Sequence, residues 1–154
     1  MDLLTPDALL THWIGHRRLS RRTVELFPED QLFSFSIGGM RPFGKLALEM
    51  LSFILTLRGT AIGEWKWELA YEDVETKDGL LKAWDDCDTK MLDVWKGISS
   101  ARLSAIEADG FWLPNATSNL SKVQYWMDNE IHHRGQGYVY LRALGIEPPA
   151  FWER

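Results

Sequence analysis

Apolar residues recur along this chain at alternating three- and four-residue spacing, the period of helices with one buried face, and no alternating strand pattern appears. Leu9, Trp13, Ser20, Thr23 and Phe27 form a first run. Thr5-Pro6-Asp7 opens it, with threonine placed to cap and proline at the first helical position. Pro28 closes that helix, and the stretch from Phe33 to Gly39 reads as a connection. A second helix opens near Arg41-Pro42 and carries Phe43, Leu46, Met50, Phe53 and Leu57. A third begins at Thr76-Lys77-Asp78 and repeats Leu80, Trp84, Cys87, Met91, Val94 and Ile98. The fourth runs from Ser118-Asn119 to Gly145, where glycine stops it and Pro148-Pro149 forbids resumption. Between them lie an acidic link from Gly63 to Val74, with Trp65 and Trp67, and a polar one over residues 99–119, with Gly110 and Pro114. The pattern predicts an all-α four-helix bundle with long first-to-second and third-to-fourth connections, a single domain over residues 1–154.

Composition narrows this further. Apolar residues make up 45% of the chain and charged residues 25%, which excludes wholesale disorder. The eight tryptophans, several at helical spacing, are expected to fill space between helices. A formal net charge of −5 argues against nucleic acid as a partner, because such binding rests on neutralising phosphates. Arg17, Arg18, Arg21 and Arg22 are expected to form a solvated helix face. One cysteine, Cys87, excludes an internal disulfide framework and fits a reducing cytoplasm. Its place on the third apolar stripe predicts a small buried hydrophobe rather than a nucleophile. No basic start or continuous apolar region marks a signal peptide, and Lys45, Glu49 and Arg58 interrupt the run after Pro42 too soon for a membrane span. A soluble cytoplasmic protein is expected. Asn115-Ala116-Thr117 matches a glycosylation acceptor, which carries no weight without a secretory signal.

Chemistry concentrates in Asp128-Asn129-Glu130-Ile131-His132-His133-Arg134-Gly135-Gln136 on the fourth helix. Asn129 and His133 are four apart and therefore share a face, a spacing that can grip one cation if a neighbouring helix supplies a third ligand. Glu49 lies beside the second apolar stripe, where an ionised carboxylate is costly unless it is paired or bound to metal. Two readings follow: a boundary glutamate paired with Arg17 or Arg134, or a ligand. Glu130 and Arg134 are spaced for an intrahelical ion pair. Glu130 and His132 stand as additional or alternative ligands, although His132 lies one step round the helix from His133. His12 and His16 are also four apart but have no nearby acid or cysteine in sequence, which places them on the helix surface. Tyr140 and Trp126 are expected to line the same cavity as His133.

His132-His133-Arg134-Gly135-Gln136, followed by Tyr140-Leu141-Arg142, Leu144-Gly145-Ile146 and Pro148-Pro149, resembles the end of the last helix in the DinB-like family. Pro42-Phe43-Gly44-Lys45-Leu46-Ala47-Leu48-Glu49 is similar to the helix that carries that family's first metal ligand. The resemblance runs along the whole chain in helix order. It implies a four-helix bundle, commonly a homodimer, that holds a divalent metal with three histidines, one from helix two and two from helix four. At those positions this chain has Glu49, Asn129 and His133, so only His133 keeps the pattern. A carboxylate, an amide and an imidazole still make a ligand set, one shifted from zinc or nickel toward harder ions such as manganese or magnesium. The activity implied is that of a metal-dependent hydrolase or a thiol-transferase-like enzyme acting on a small molecule or thiol. The competing expectation is a non-catalytic, stress-related dimeric bundle whose metal is structural or absent.

Overall fold

The computed structural model describes residues 4–65, 71–108 and 116–154. Four long helical rods assemble as the apolar pattern predicts. α1 spans Pro6–Leu26, α2 Phe43–Leu51, α3 Phe53–Ile62, α4 Lys77–Trp95, α5 Ser100–Ser104 and α6 Asn119–Ala143. The start signals work as their chemistry dictates. The hydroxyls of Thr5, Thr76 and Ser118 accept from the backbone N–H of Ala8, Gly79 and Ser121, each satisfying an amide that has no carbonyl partner in the first turn. α6 ends in a Schellman turn. Gly145 takes φ 76°, Ile146 N–H reaches Leu141 O and Gly145 N–H reaches Arg142 O.

Two expectations are corrected. The second helix is not continuous: α2 and α3 meet at Ser52, whose hydroxyl leans back on the Leu48 carbonyl at 3.4 Å. Such back-bonding by serine bends helices. At the same bend the Leu51 carbonyl accepts from the Cys87 thiol at 3.5 Å. The connection from α4 to α6 is also not wholly irregular. It contains α5 and a two-residue antiparallel ladder, β1 (Ile106–Glu107) with β2 (Thr117–Ser118). Arg102 pins this region, donating to the Thr60 and Gly59 carbonyls of α3 and gripping Glu107 through both terminal nitrogens. Trp67, Gly110, Pro114 and the Asn115 acceptor position lie outside the described residues.

The core is aromatic and continuous through all four rods. Trp13 packs on Phe53 at 4.7 Å and edge-on to Trp95 at 6.1 Å, while Phe27 stacks on Phe43 at 4.7 Å. Leu80, Trp84, Cys87, Met91 and Ile98 of the third stripe are all buried. Burial pushes the Cys87 thiol up to about 12, so it carries no thiolate at neutral pH. α6 packs against α1 on one side and α2 on the other. The α2 side depends on Gly137, where a side-chain carbon would stand 2.4 Å from the Phe43 ring.

That close approach sets the α2–α6 distance on which the polar cluster described below depends. Gly137→Ala is expected to destabilise the fold by about 1–3 kcal/mol through overpacking. Urea unfolding of the two proteins measures it, and an unchanged midpoint would show that the helices separate at little cost.

Candidate functional site

Three side chains from two helices meet at the α2–α6 contact. Glu49 sits near the end of α2, one turn before the bend at Ser52. Asn129 and His133 stand on successive turns of α6. His133 Nε2 is 3.0 Å from Glu49 Oε1, Asn129 Nδ2 is 3.1 Å from the same oxygen, and Asn129 Nδ2 is 3.2 Å from His133 Nε2. The atoms form a nearly equilateral triangle. The second carboxylate oxygen, Oε2, takes the Arg41 guanidinium at 2.6 Å. Arg41 is positioned by its backbone, because the buried Tyr140 hydroxyl donates to the Arg41 carbonyl at 3.0 Å.

The far side of the imidazole decides its electrostatics. His133 Nδ1 faces Gln136 Oε1 at 2.9 Å, and the Gln136 amide nitrogen points instead to Met40 Sδ at 3.6 Å. The ring lies within hydrogen-bond reach of Gln136 on one side and of Glu49 on the other, so an N–H at Nε2 donates to the carboxylate and an N–H at Nδ1 donates to the amide oxygen. The His133 N–H, the Asn129 amide and Arg41 hold the Glu49 carboxyl far below its ordinary range, at about 2, with His133 the largest influence and partial burial opposing it. Tyr125, half exposed on α6, is pushed up by burial and then by the Glu49 charge.

Asn129 Oδ1 is buried without a hydrogen-bond partner. An unpaired buried amide oxygen is costly, and it is the atom a cation would use. Among the described residues, no three His, Cys, Asp or Glu side chains gather to hold an ion. Any ligand set here therefore includes the amide. The corners of the triangle are one oxygen, Glu49 Oε1, and two nitrogens, Asn129 Nδ2 and His133 Nε2, at 3.0–3.2 Å spacing. An amide nitrogen has no lone pair to give, so Asn129 reaches an ion only with its amide turned over.

Other sequence expectations are redistributed. Glu49 pairs with Arg41, not with Arg17 or Arg134. Glu130 does not join the triangle. It is 1% exposed and turned toward α1, accepting from Ser20 Oγ at 2.6 Å and Trp13 Nε1 at 3.1 Å. The intrahelical Glu130–Arg134 bridge gives way to shared contacts with α1. Arg134 donates to Ser20 Oγ, the His16 carbonyl and His16 Nδ1. His132 is exposed, beside the His133 ring at 5.2 Å. Trp126 and Tyr140 are packed rather than open to a cavity. The indole of Trp126 donates to Thr56 Oγ1 at 2.8 Å.

Two residues expected at the surface are buried. Arg17, 1% exposed, lies between the Phe53 and Trp84 rings at 4.8 and 4.0 Å and bonds Asp88 through Nε at 2.7 Å. Burial works against its charge, but Glu130 and Asp88 outweigh it and raise its pKa. His16 is 5% exposed, with Arg134 against Nδ1 and His12 and Arg154 against Nε2. Its one early signal is a spacing of four from Ser20 and one turn from Trp13.

The matching family model covers residues 2–154 and is described as the DinB family. The chain belongs to the DinB family. Two solved structures share its fold. A DinB-like protein from Bacillus cereus ATCC 10987 matches at TM-score 0.79 and 15% identity, over 96% of this chain and 98% of that one. A DinB-like protein from Bacillus subtilis matches at TM-score 0.73 and 18% identity, over 95% and 99%. No curated protein matches the chain. Among the described residues, no helix of this DinB-family bundle is long and apolar enough to cross a membrane.

Burial, then the charges of Arg134, His12 and Arg154, lower His16 from 6.5 to about 4. The unfolded chain thus takes up this proton before the folded one. The stabilisation is complete above pH 6.5 and is lost as pH falls toward 4. Chemical denaturation across that window should show stability falling with acid, and His16→Asn should flatten the dependence. An equal slope in both proteins would remove His16 as its source.

Proposed function

We propose that this DinB-family protein holds one divalent cation of hard character through Glu49, Asn129 and His133, and acts as a metal-dependent hydrolase or thiol-transferase-like enzyme on a small molecule or thiol. The observation that carries the reading is the convergence of Glu49 Oε1 and His133 Nε2 to 3.0 Å across the α2–α6 contact. Gln136 supports it, because its Oε1 stands 2.9 Å from Nδ1, placed to receive the outer ring proton of a metal-bound histidine. Asn129 would become a third ligand with its amide turned over, which brings the buried, unpartnered Oδ1 to face Glu49 and His133. When bound, such an ion lowers the pKa of a water or thiol it holds and so supplies a nucleophile. Glu49 and His133 anchor the site, Asn129 completes it, and Arg41 gives the mouth a second positive charge. Glu130, buried against α1, is not its base. A reducing cytoplasm suits the single buried cysteine.

A second reading is favoured by the Arg41–Glu49 ion pair. There Glu49 Oε1 hydrogen-bonds His133, Oε2 pairs with Arg41, and the cluster is a clamp between α2 and α6. The protein is then a non-catalytic, stress-related bundle, and the exposed Phe151 and Trp152 suit a homodimer interface.

Metal analysis of protein purified without chelator or nickel resin, followed by manganese titration, separates the two. The first reading predicts a single manganese site whose affinity falls at least tenfold in Glu49→Ala and in His133→Ala. Protein that arrives empty and cannot be loaded leaves the clamp.

A further inference from the structure

His16 stands where three parts of the molecule meet, and the groups facing its ring are two guanidiniums and a second histidine. Arg134 of α6 lies 3.0 Å from Nδ1, Arg154 lies 3.2 Å from Nε2, and His12 of α1 lies 3.3 Å from the same nitrogen. Glu130, the acid of this network, is spent on Ser20 and Trp13. A guanidinium can only donate, and a neutral imidazole has one lone pair, whichever nitrogen carries it. Two arginines therefore compete for that lone pair at neutral pH. An imidazolium has none, and it places another positive charge between them.

The two arginines are held unequally. Arg134 is 5% exposed and keeps the Ser20 hydroxyl and the His16 carbonyl through its other terminal nitrogen. Arg154 is exposed and belongs to a short segment, Phe151 to Arg154, that reaches back to α1. Two further contacts seat this segment. Arg22 donates to Glu153 through both terminal nitrogens, at 3.1 Å to the carboxylate and 3.3 Å to the carbonyl. Gly15 makes room for Arg154, because a side-chain carbon added at Gly15 would stand 3.1 Å from Arg154 Cβ.

We propose that the segment Phe151 to Arg154 is a pH-sensitive strap, seated on α1 by Gly15, His16 and Arg22 and released when His16 takes up a proton. The coupling is reciprocal: docked Arg154 opposes a charge on His16, so that charge opposes the docking of Arg154 by the same factor. Burial, then the charges of Arg134, His12 and Arg154, hold His16 down at about 4, which keeps the strap closed at neutral pH and opens it in acid. Buried Arg134 has nowhere to go, whereas exposed Arg154 can withdraw into solvent. His12, exposed beside Nε2, adds to the same repulsion once it is charged. Release bares the α1 surface at His12 and Gly15 and frees the exposed aromatic pair Phe151 and Trp152.

Two NMR measurements test the strap. Backbone nitrogen-15 relaxation follows the order of Glu153 and Arg154 from neutral pH down to about pH 4, with the Trp13 amide as a check that the bundle stays folded. Order at both residues is expected to be lost in step with the His16 titration in wild type and in Glu153→Gln, and to be independent of pH in His16→Asn. The ring resonances of His16 give its titration midpoint in wild type, Arg154→Ala and Arg18→Ala, where Arg18 is an exposed arginine of α1 that controls for loss of charge alone. The midpoint is expected to rise by about one pH unit in Arg154→Ala and to stay in place in Arg18→Ala. Residues 153 and 154 that stay ordered through the His16 titration, or that are already mobile at neutral pH, overturn the strap. Loss of order in His16→Asn at the wild-type pH overturns His16 as its trigger. A midpoint that does not move in Arg154→Ala, or that moves equally in Arg18→Ala, overturns the coupling.

Discussion

A carboxylate and an imidazole nitrogen face each other across the α2–α6 contact, and each is committed on its other side. Glu49 gives Oε2 to Arg41, and His133 sets Nδ1 against Gln136 Oε1. Neither group can turn away to relieve the contact without abandoning a second partner. The helices in turn cannot draw apart freely, because Gly137 lets the Phe43 ring sit directly on α6. Sterics fix the distance, and the distance calls for a hydrogen or an ion between the two atoms. The role of the site follows from which of them it is.

The other face of α6 buries a second polar group. Glu130, Arg134, Ser20, His16 and Arg17 meet between α6, α1 and α4 with Trp13 and Asp88, and the terminal nitrogens of Arg17 face aromatic rings instead of hydrogen-bond acceptors. Paired burial of this kind adds little net stability against an apolar alternative, but losing one partner would strand the rest. Near α1 each carboxylate oxygen of Glu130 meets a donor, and near α2 each oxygen of Glu49 does as well, while Asn129 Oδ1 on one face and the Arg17 terminal nitrogens on the other stay unpaired.

Much of the architecture could be read from local chemistry. Thr5, Thr76 and Ser118 are strong caps whose effect is confined to one turn, so the helix starts follow directly from sequence. The stripes through Phe43 and Leu80 likewise depend only on helical period. The bend at Ser52 did not emerge, since an apolar stripe continues through a bent helix unchanged and the hydroxyl that causes the bend is a common residue. Glu49 and His133 were legible as a pair because an isolated acid on an apolar stripe and an i,i+4 amide–imidazole set each ask for a partner. Arg17, His16 and Glu130 misled for the opposite reason. Spacing alone suggests exposed helix pairs, while burial of these groups depends on cross-helix partners far away in sequence. Arg41 was hidden in the same way: its role comes from Tyr140, nearly a hundred residues later.

What lies between Glu49 and His133 can be observed directly through the ring nitrogens of His133. Nitrogen-15 NMR of selectively labelled protein, before and after addition of a diamagnetic divalent ion, reports the state of each. The proposed cation site predicts that the ion moves the Nε2 resonance to a ligated position and leaves Nδ1 protonated against Gln136. A spectrum unchanged at saturating ion would contradict it and leave a hydrogen-bonded clamp between α2 and α6.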